Sequence, residues 1–180
     1  MITAQMLIAI APQCNQQIVA GLIDPLNNYL PQYGITTLLR YDHFFGQAAE
    51  ETAGFKVLVE YASGNEYEGR RDLGNDQPGD GPRFKGRGIF QLTGRSNYTN
   101  MSSILGVDLV NNPDLAATPE IAVRTACEYW KTRGLQRYAD ADDTQGITRA
   151  INGGYNGLSD RELYTTRADR VFSPLFAAQQ

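Results

Sequence analysis

A stretch rich in glycine and proline interrupts a chain whose other parts have helical patterns. Residues 63–87 contain six glycines and two prolines, and their apolar residues show no helical period. Because glycine and proline favour turns and end helices, we predict a long loop here, with short strands near 84–92. Loops of this length inside a compact chain are usually functional or mobile. The stretch is therefore the first place to look for a site.

Helical patterns lie on both sides of this stretch. Before it, apolar spacing and capping residues predict helices over 4–11, 16–23, 25–30 and 38–53. After it, they predict helices from 93 or 96 to 105, and over 119–132, 144–151 and 159–172. Pro25 and Pro31 punctuate the early pieces, and Ser159 with Glu162 fits a capping box for the last helix. The chain is thus predicted to be mostly α, as one domain over 1–180.

Charge and composition exclude several classes of protein. Sixteen basic against twenty acidic residues give a net charge of −4, which argues against a nucleic-acid binder. His43 is the single histidine, so a zinc catalyst or a triad is disfavoured, and we expect no metal or cofactor. The early apolar run 6–11 is too short to span a membrane, and no basic residue precedes it. We therefore expect cytoplasmic synthesis, no membrane insertion, and free thiols at Cys14 and Cys127. Hydrolytic chemistry here would use carboxylates.

Two adjacent glutamates on the helix predicted over 38–53 should have different environments. On a helical wheel Glu51 falls about 20° from Phe44, at the edge of the apolar face, whereas Glu50 falls opposite that face. We expect Glu50 in solvent and Glu51 half buried beside aromatic rings. Since burial raises the pKa of a carboxyl group, Glu51 is a candidate general acid.

A second carboxylate is needed to activate water, and Glu60 follows nine residues later. In one straight helix the two acids would face opposite ways, so the helix must break between them, and Gly54 is available for that. For one inverting site the carboxyl groups should lie about 6.5–9.5 Å apart, leaving room for a water. Spacing alone leaves open that both are ordinary surface glutamates.

Three motifs occur in order and together resemble one known family. They are Gln47-Ala48-Ala49-Glu50-Glu51-Thr52-Ala53-Gly54-Phe55, Lys85-Gly86-Arg87-Gly88-Ile89-Phe90-Gln91-Leu92-Thr93-Gly94 and Ile151-Asn152-Gly153-Gly154-Tyr155-Asn156-Gly157. The chain from about 43 to 170 resembles the family 19 glycoside hydrolases, which include plant-type chitinases, and in particular the compact lysozyme-like endolysins of bacteriophages. The resemblance implies a lysozyme-like, two-lobed α+β fold with a cleft between the lobes.

The resemblance also implies roles for individual residues. Glu51 would be the general acid, Glu60 the general base, and Thr93 would help to hold the attacking water. Residues that would line or support the cleft are Gln91, Asn152 and Arg161, with Tyr98 held more loosely.

Glu50 departs from the family pattern, because relatives usually have a histidine directly before the acid. A neighbouring carboxylate would raise the pKa of Glu51 or would simply be solvated.

Side chains in and beside the glycine-rich stretch offer further candidates. Tyr61, Tyr67, Phe84 and Phe90 are candidates for stacking on sugar rings, whereas Trp130 fits a core position. The stretch and its surroundings are locally basic, which would attract an acidic polymer or would be balanced by internal ion pairs. The basic residues are Arg70, Arg71, Arg83, Lys85, Arg87 and Arg95.

The resemblance implies an inverting hydrolase of β-1,4 links between N-acetylmuramic acid and N-acetylglucosamine in peptidoglycan. Such an endolysin would be a monomer, would carry no separate wall-binding domain, and would act on the periplasmic wall after release from the host cytoplasm. The alternative within the class is a chitinase. The alternative from another class is a wall-binding module that has lost the chemistry.

Overall fold

The computed structural model describes residues 1–178 of the chain, which divide into two compact units. The first unit contains Met1–Val57 and the chain from Cys127 onward, and the second contains Leu58–Ala126. Helices dominate both, so the predicted mostly α class is confirmed. That residues 1–180 form a single catalytic domain stays a prediction, and Gln179 and Gln180 lie outside the described residues.

The first unit is helical throughout. Its helices are α1 (Ala4–Ile10), α2 (Gln16–Gln32), α3 (Leu38–Glu51), α7 (Gln136–Asp140), α8 (Thr144–Asn152), α9 (Leu158–Ala177) and the last turns of α6 (Pro119–Thr132). Thr3 caps α1 as predicted, since its side chain accepts a hydrogen bond from the Met6 N–H. Asn15 and Thr37 cap α2 and α3 in the same way.

Two predicted helix boundaries are wrong. The pieces predicted over 16–23 and 25–30 form one helix that contains both Pro25 and Pro31. Its buried face continues past Pro25, from Leu22 to Leu26 and Leu30. The last helix does not begin with a Ser159 capping box. Gly157 is its N-cap residue, no side chain caps it, and it runs past Phe172 through Pro174.

The second unit contains the glycine-rich stretch. Its α-helices are α4 (Asp80–Arg83), α5 (Arg95–Leu105) and the first turns of α6, and short 3-10 turns lie at Asn65–Tyr67, Arg71–Leu73 and Pro113–Ala117. The strands predicted near 84–92 reduce to isolated antiparallel bridges of Arg87 with Val59 and with Leu92. An apolar cluster holds this unit together around Phe84, Tyr98 and Met101.

Helix α3 is buried on every side over residues 42–49. Its rings Phe44 and Phe45 pack edge to face with one another, and Phe44 also meets Trp130, with ring centres 5.3 Å apart. Trp130 is fully buried, as predicted for a core residue. A helix enclosed in this way does not have the half-apolar wheel that the sequence analysis assumed.

Gly46 lets α3 approach α9 closely. A Cβ atom at this position would lie 2.1 Å from Thr165 Oγ1 and 3.1 Å from Thr165 Cα. The backbone of α9 therefore occupies space that any side chain at position 46 would need, and the glycine sets the distance between the two helices.

Within residues 1–178, no helix is both long and apolar enough to cross a bilayer. Both cysteines are free thiols, with Cys127 buried and Cys14 partly exposed. The prediction of two free thiols is confirmed, although only Cys127 is fully enclosed.

We expect Gly46→Ala to destabilise the protein by about 1–3 kcal/mol, because overpacking against Thr165 outweighs the gain in helix propensity of about 1 kcal/mol. Denaturant unfolding monitored by circular dichroism measures the change. The matched control is Gly154→Ala, where a Cβ atom meets nothing within 4 Å. Equal stability of Gly46→Ala and wild type would contradict the close helix contact.

Asp42 makes the stability of α3 dependent on pH. This side chain is 3% exposed, and burial, then the charges of Asp169 and Asp142, raise its pKa to about 8. The folded state therefore binds a proton that the unfolded chain releases near pH 4, so this contribution to stability is lost as pH rises from about 4 to 8. We expect the melting temperature to fall over that range, and to fall less in Asp42→Asn. An identical pH profile for the two proteins would argue against a protonated Asp42.

Candidate active site

Glu51 is the last residue of α3, so the helix ends directly after the predicted acid. Ala53, Gly54 and Phe55 follow with φ values of 52°, 77° and 56°, in the left-handed region that cannot continue a helix. The Thr52 hydroxyl donates to the Ala48 carbonyl and accepts from the Phe55 N–H, which fixes this turn. The predicted break between the two glutamates, with Gly54 taking part, is confirmed.

Arg161 on α9 forms an ion pair with Glu51. Its Nη2 lies 2.6 Å from Glu51 Oε1, and the guanidinium is 4% exposed whereas the Glu51 side chain is 19% exposed. Arg161 also donates to Gln47 Oε1 one turn earlier on α3. The first unit thus brings together two predicted site residues and gives Glu51 a charged partner.

Glu50 is partly buried, so the prediction that it lies in solvent is wrong. Its carboxyl group lies beside the backbone at the start of α9, since a Cβ atom on Gly157 would lie 2.2 Å from Glu50 Oε1. Burial raises the pKa of Glu50, Arg161 opposes that effect, and the charges of Asp160 and Glu51 reinforce it. The wheel failed because α3 is enclosed on all sides, so no face of it is reserved for solvent.

Asn152 is the last residue of α8 and its side chain is exposed. Gly153 ends the helix in the left-handed conformation, with φ of 74°. The third motif thus forms the exposed turn between α8 and α9. A role of Asn152 in the cleft stays a prediction.

Glu60 in the second unit has hydrogen-bond donors on both carboxylate oxygens. The Gly86 N–H donates to Oε1 over 2.5 Å, and the Tyr67 hydroxyl donates to Oε2 over 2.9 Å. The backbone of Glu60 also donates to the Gly86 carbonyl. Burial, and then the bond to Glu60, raise the pKa of Tyr67 to about 12, so this phenol stays a donor at neutral pH.

Gly86 brings Glu60 and Gln91 together. A Cβ atom at Gly86 would lie 2.4 Å from Gln91 Oε1 and 3.2 Å from the Glu60 carboxyl carbon. Gln91 has a φ of 51°, which is rare for a residue with a side chain, and its Nε2 donates to the Gly88 carbonyl. Thr93 Oγ1 donates to the Gln91 carbonyl over 2.9 Å. Glu60, Gln91 and Thr93 are therefore joined through one tight turn, as the second motif suggested.

Tyr98 is fully buried, so the prediction that it binds substrate is wrong for this structure. Its ring lies in the apolar cluster of the second unit beside Phe84. Its hydroxyl donates to the Lys85 carbonyl and accepts from the buried guanidinium of Arg87. Tyr98 thus stabilises the turn at 85–87 through hydrogen bonds to Lys85 and Arg87.

The four aromatic residues proposed for stacking have different positions. Tyr61 is 81% exposed and remains a candidate platform, whereas Phe84 and Phe90 are buried and are excluded. Tyr67 is half buried and holds Glu60. Stacking by Tyr61 stays a prediction.

Ion pairs inside the second unit balance half of the predicted basic rim. Arg70 pairs with Asp72, Arg87 with Asp114 and Arg95 with Asp80. Of the other three cations, Arg83 donates to the Val110 carbonyl and Lys85 to the Ala62 carbonyl, and Arg71 is exposed. Internal pairing, the alternative stated from sequence, thus accounts for three of the six charges.

Among the described residues, no group of three His, Cys, Asp or Glu side chains has a geometry that would hold a metal ion.

Sequence reasoning missed three residues that position the candidate catalytic groups. Gln47 binds Arg161, Gly86 donates to Glu60 and leaves room for Gln91, and Tyr67 donates to Glu60. Gln47 and Gly86 lie inside the quoted motifs, which is the one signal that pointed to them. Nothing in the sequence distinguished a Tyr67 that donates to a carboxylate from one that stacks on a sugar.

Comparison with known proteins identifies the family. Residues 36–147 match the glycoside hydrolase family 19 model, described as chitinase class I. A family 19 domain-containing protein of Haemophilus influenzae is 38% identical over 99 residues, covering 54% of this chain and 48% of that protein. Acidic endochitinase Q of Nicotiana tabacum is 42% identical over 90 residues, covering 49% and 33% respectively. The chain thus spans about half, or less, of the length of these curated relatives.

Solved structures show the same fold. Chitinase C of Streptomyces griseus superposes with a TM-score of 0.78 at 21% identity, over 96% of this chain and 76% of that one. A bacterial family 19 chitinase gives 0.74 at 24% identity, over 94% of both chains. With the family model matching more than half of its length, this chain belongs to glycoside hydrolase family 19.

Proposed function

We propose that the protein is an inverting glycosidase that cuts β-1,4 links in peptidoglycan, between N-acetylmuramic acid and N-acetylglucosamine. The main support for this reaction type is that two carboxyl groups within the region that matches the family are each held by their own partners. Glu51 is held by Arg161, and Glu60 is held by Gly86 and Tyr67.

The motif that Glu51 occupies assigns it the role of general acid. Arg161 forms an ion pair with Glu51 and fixes the position of its carboxyl group. Burial raises the pKa of the neighbouring Glu50, and the charge of Arg161 opposes that effect. Glu51 would pass a proton to the leaving oxygen of the glycosidic bond.

The environment of Glu60 suits a base. Hydrogen bonds from Gly86 and Tyr67 to its two oxygens hold the carboxyl group in one position. Glu60 would take a proton from water while the water oxygen attacks the anomeric carbon. That carbon–oxygen bond forms on the face opposite the bond that breaks, so the product has the inverted configuration. Thr93 would orient the water from the same turn.

The choice of peptidoglycan rests on the sequence resemblance to compact phage endolysins. On this proposal the enzyme is a monomer that acts on the periplasmic wall after release from the host cytoplasm. Because three of the six cations of the basic rim are paired with carboxylates, attraction of an acidic polymer adds little support.

Chitin is the second candidate substrate, and the chitinases among the relatives favour it. Analysis of the first product distinguishes the two polymers. Purified peptidoglycan and glycol chitin are digested, and the new reducing ends are reduced with borohydride and identified. Release of muramitol from peptidoglycan supports the proposal. Cleavage of chitin with no action on peptidoglycan would replace it by the chitinase alternative. NMR of the first anomer formed tests inversion.

We expect Glu51→Gln to lower the hydrolysis rate by at least about 100-fold while folding and wall binding are kept, because a general acid contributes about 10²–10⁴-fold. Loss of turbidity of cells with a permeabilised outer membrane measures the rate, and pull-down with insoluble wall measures binding. The matched control is Glu66→Gln, which changes an exposed glutamate. Wild-type protein that binds wall but releases no sugar would indicate the binding-module alternative.

We expect Tyr67→Phe to reduce kcat roughly tenfold or more and to leave KM nearly unchanged, since the Glu60 carboxylate loses a charged hydrogen bond worth about 1.5–3 kcal/mol. Tyr138→Phe, which removes a hydroxyl that among the described residues accepts only from Arg137 on α7, is the control. A change in KM alone would instead assign Tyr67 to substrate contact.

A further inference from the structure

A cavity of about 350 Å³ opens on the first unit between α3, the start of α8 and α9. Its volume falls within the range of small-molecule sites. Four carboxyl side chains line it, and the rest of its lining is three threonines and a leucine, with no lysine or arginine. The four are Asp42, Asp142, Glu162 and Asp169.

The buried end of this cavity carries a carboxyl oxygen without a partner. Asp42 is more than nine-tenths buried, and its Oδ1 forms no hydrogen bond. Unsatisfied buried polar atoms are costly, so a buried carboxyl group that lines a cavity without a hydrogen bond indicates a ligand that donates hydrogen bonds.

The outer end of the cavity is negative. Glu162 and Asp169 are exposed, and the Asp142 side chain is 70% exposed. His43 Nε2 lies 2.8 Å from Asp142 Oδ1 and holds that carboxylate at the rim. The exposed carboxylates at the rim would attract a cation, and the buried Asp42 lies further inside the cavity.

From these observations we propose that the cavity binds the ammonium group of an aliphatic amine. The acceptors are spread over three chain elements rather than aligned as a pair, which suits the three rotatable donors of an ammonium better than a planar guanidinium. No three carboxylates of the described chain are close enough to hold a metal ion. The ammonium would lie among the carboxyl groups of Asp42, Asp142 and Asp169, and the aliphatic chain would lie toward Leu39.

Binding should release a proton. Burial and the neighbouring charges of Asp169 and Asp142 raise the pKa of Asp42 to about 8, so at pH 7 this group is mostly protonated in the free protein. An ammonium beside it favours the ionised form, and up to about one proton leaves per amine bound. Glu162 and the His43–Asp142 pair are the other titratable groups at the cavity.

The experiment is calorimetric titration of the full chain with 1,4-diaminobutane at constant ionic strength, in buffers of different ionisation enthalpy. We expect one saturable site, proton release at pH 7, and affinity that rises from pH 6 to 9. Nα-acetyl-lysine amide, titrated separately, distinguishes a free diamine from a side-chain ammonium as the source. 1-Butanol and magnesium chloride are the negative probes.

Variants assign the binding to this cavity. Asp42→Asn and Asp169→Asn should each weaken binding at least about tenfold, and Asp42→Asn should abolish the proton release. Asp24→Asn removes the same charge at an exposed position of α2 and should bind as wild type does. The proposal would be overturned if neither amine gave a heat of binding, or if Asp42→Asn bound the amine as tightly as wild type does. Saturable binding of magnesium with an affinity equal to that of the amine would also overturn it. Asp169 is exposed, so Asp169→Asn is expected to fold. Its affinity for the amine therefore tests the proposal even where Asp42→Asn fails to fold.

Discussion

Helix α3 has no solvent-facing side between residues 42 and 49, and the first unit is organised around that enclosure. Gly46 admits the backbone of α9 at a distance that a Cβ atom would forbid. The close approach sets the register in which Arg161 reaches Gln47 and Glu51. A packing constraint in the middle of α3 thereby determines where a charged pair forms at its end.

The glycine-rich segment of the second unit has few side chains that could fix its backbone by packing. Hydrogen bonds fix that backbone instead. Arg87 donates to the carbonyls of Arg83 and Lys85 and to the Tyr98 hydroxyl. The turn so formed presents the Gly86 N–H to Glu60. Buried hydrogen bonds to a charged group hold the loop where an apolar core cannot.

Features that depend on neighbouring residues in the chain, such as helix breaks, could be predicted from the sequence. Features that depend on burial in the folded protein could not. The break between Glu51 and Glu60 followed from Gly54 and from the need to turn the chain, although α3 ends two residues before its predicted end. The environment of Glu50 did not follow, since a wheel assumes that one face meets water, and this helix has none. Tyr98 was assigned to substrate by motif, yet the core of the second unit takes its ring. Pro25 was expected to end a helix, but a continuous leucine face carries α2 through it.

The order of residues by itself determined the helical class, the family, and the identity of the candidate acid and base, because these depend on local spacing and on motifs. Tertiary structure alone decided which partners those groups have. Arg161 lies 110 residues from Glu51, and Gly86 lies 26 residues from Glu60. It also decided that Asp42 is buried without a partner beside an acidic cavity. The burial and the electrostatic environment of a side chain depend on residues that are distant in the sequence, so a local sequence pattern cannot predict them.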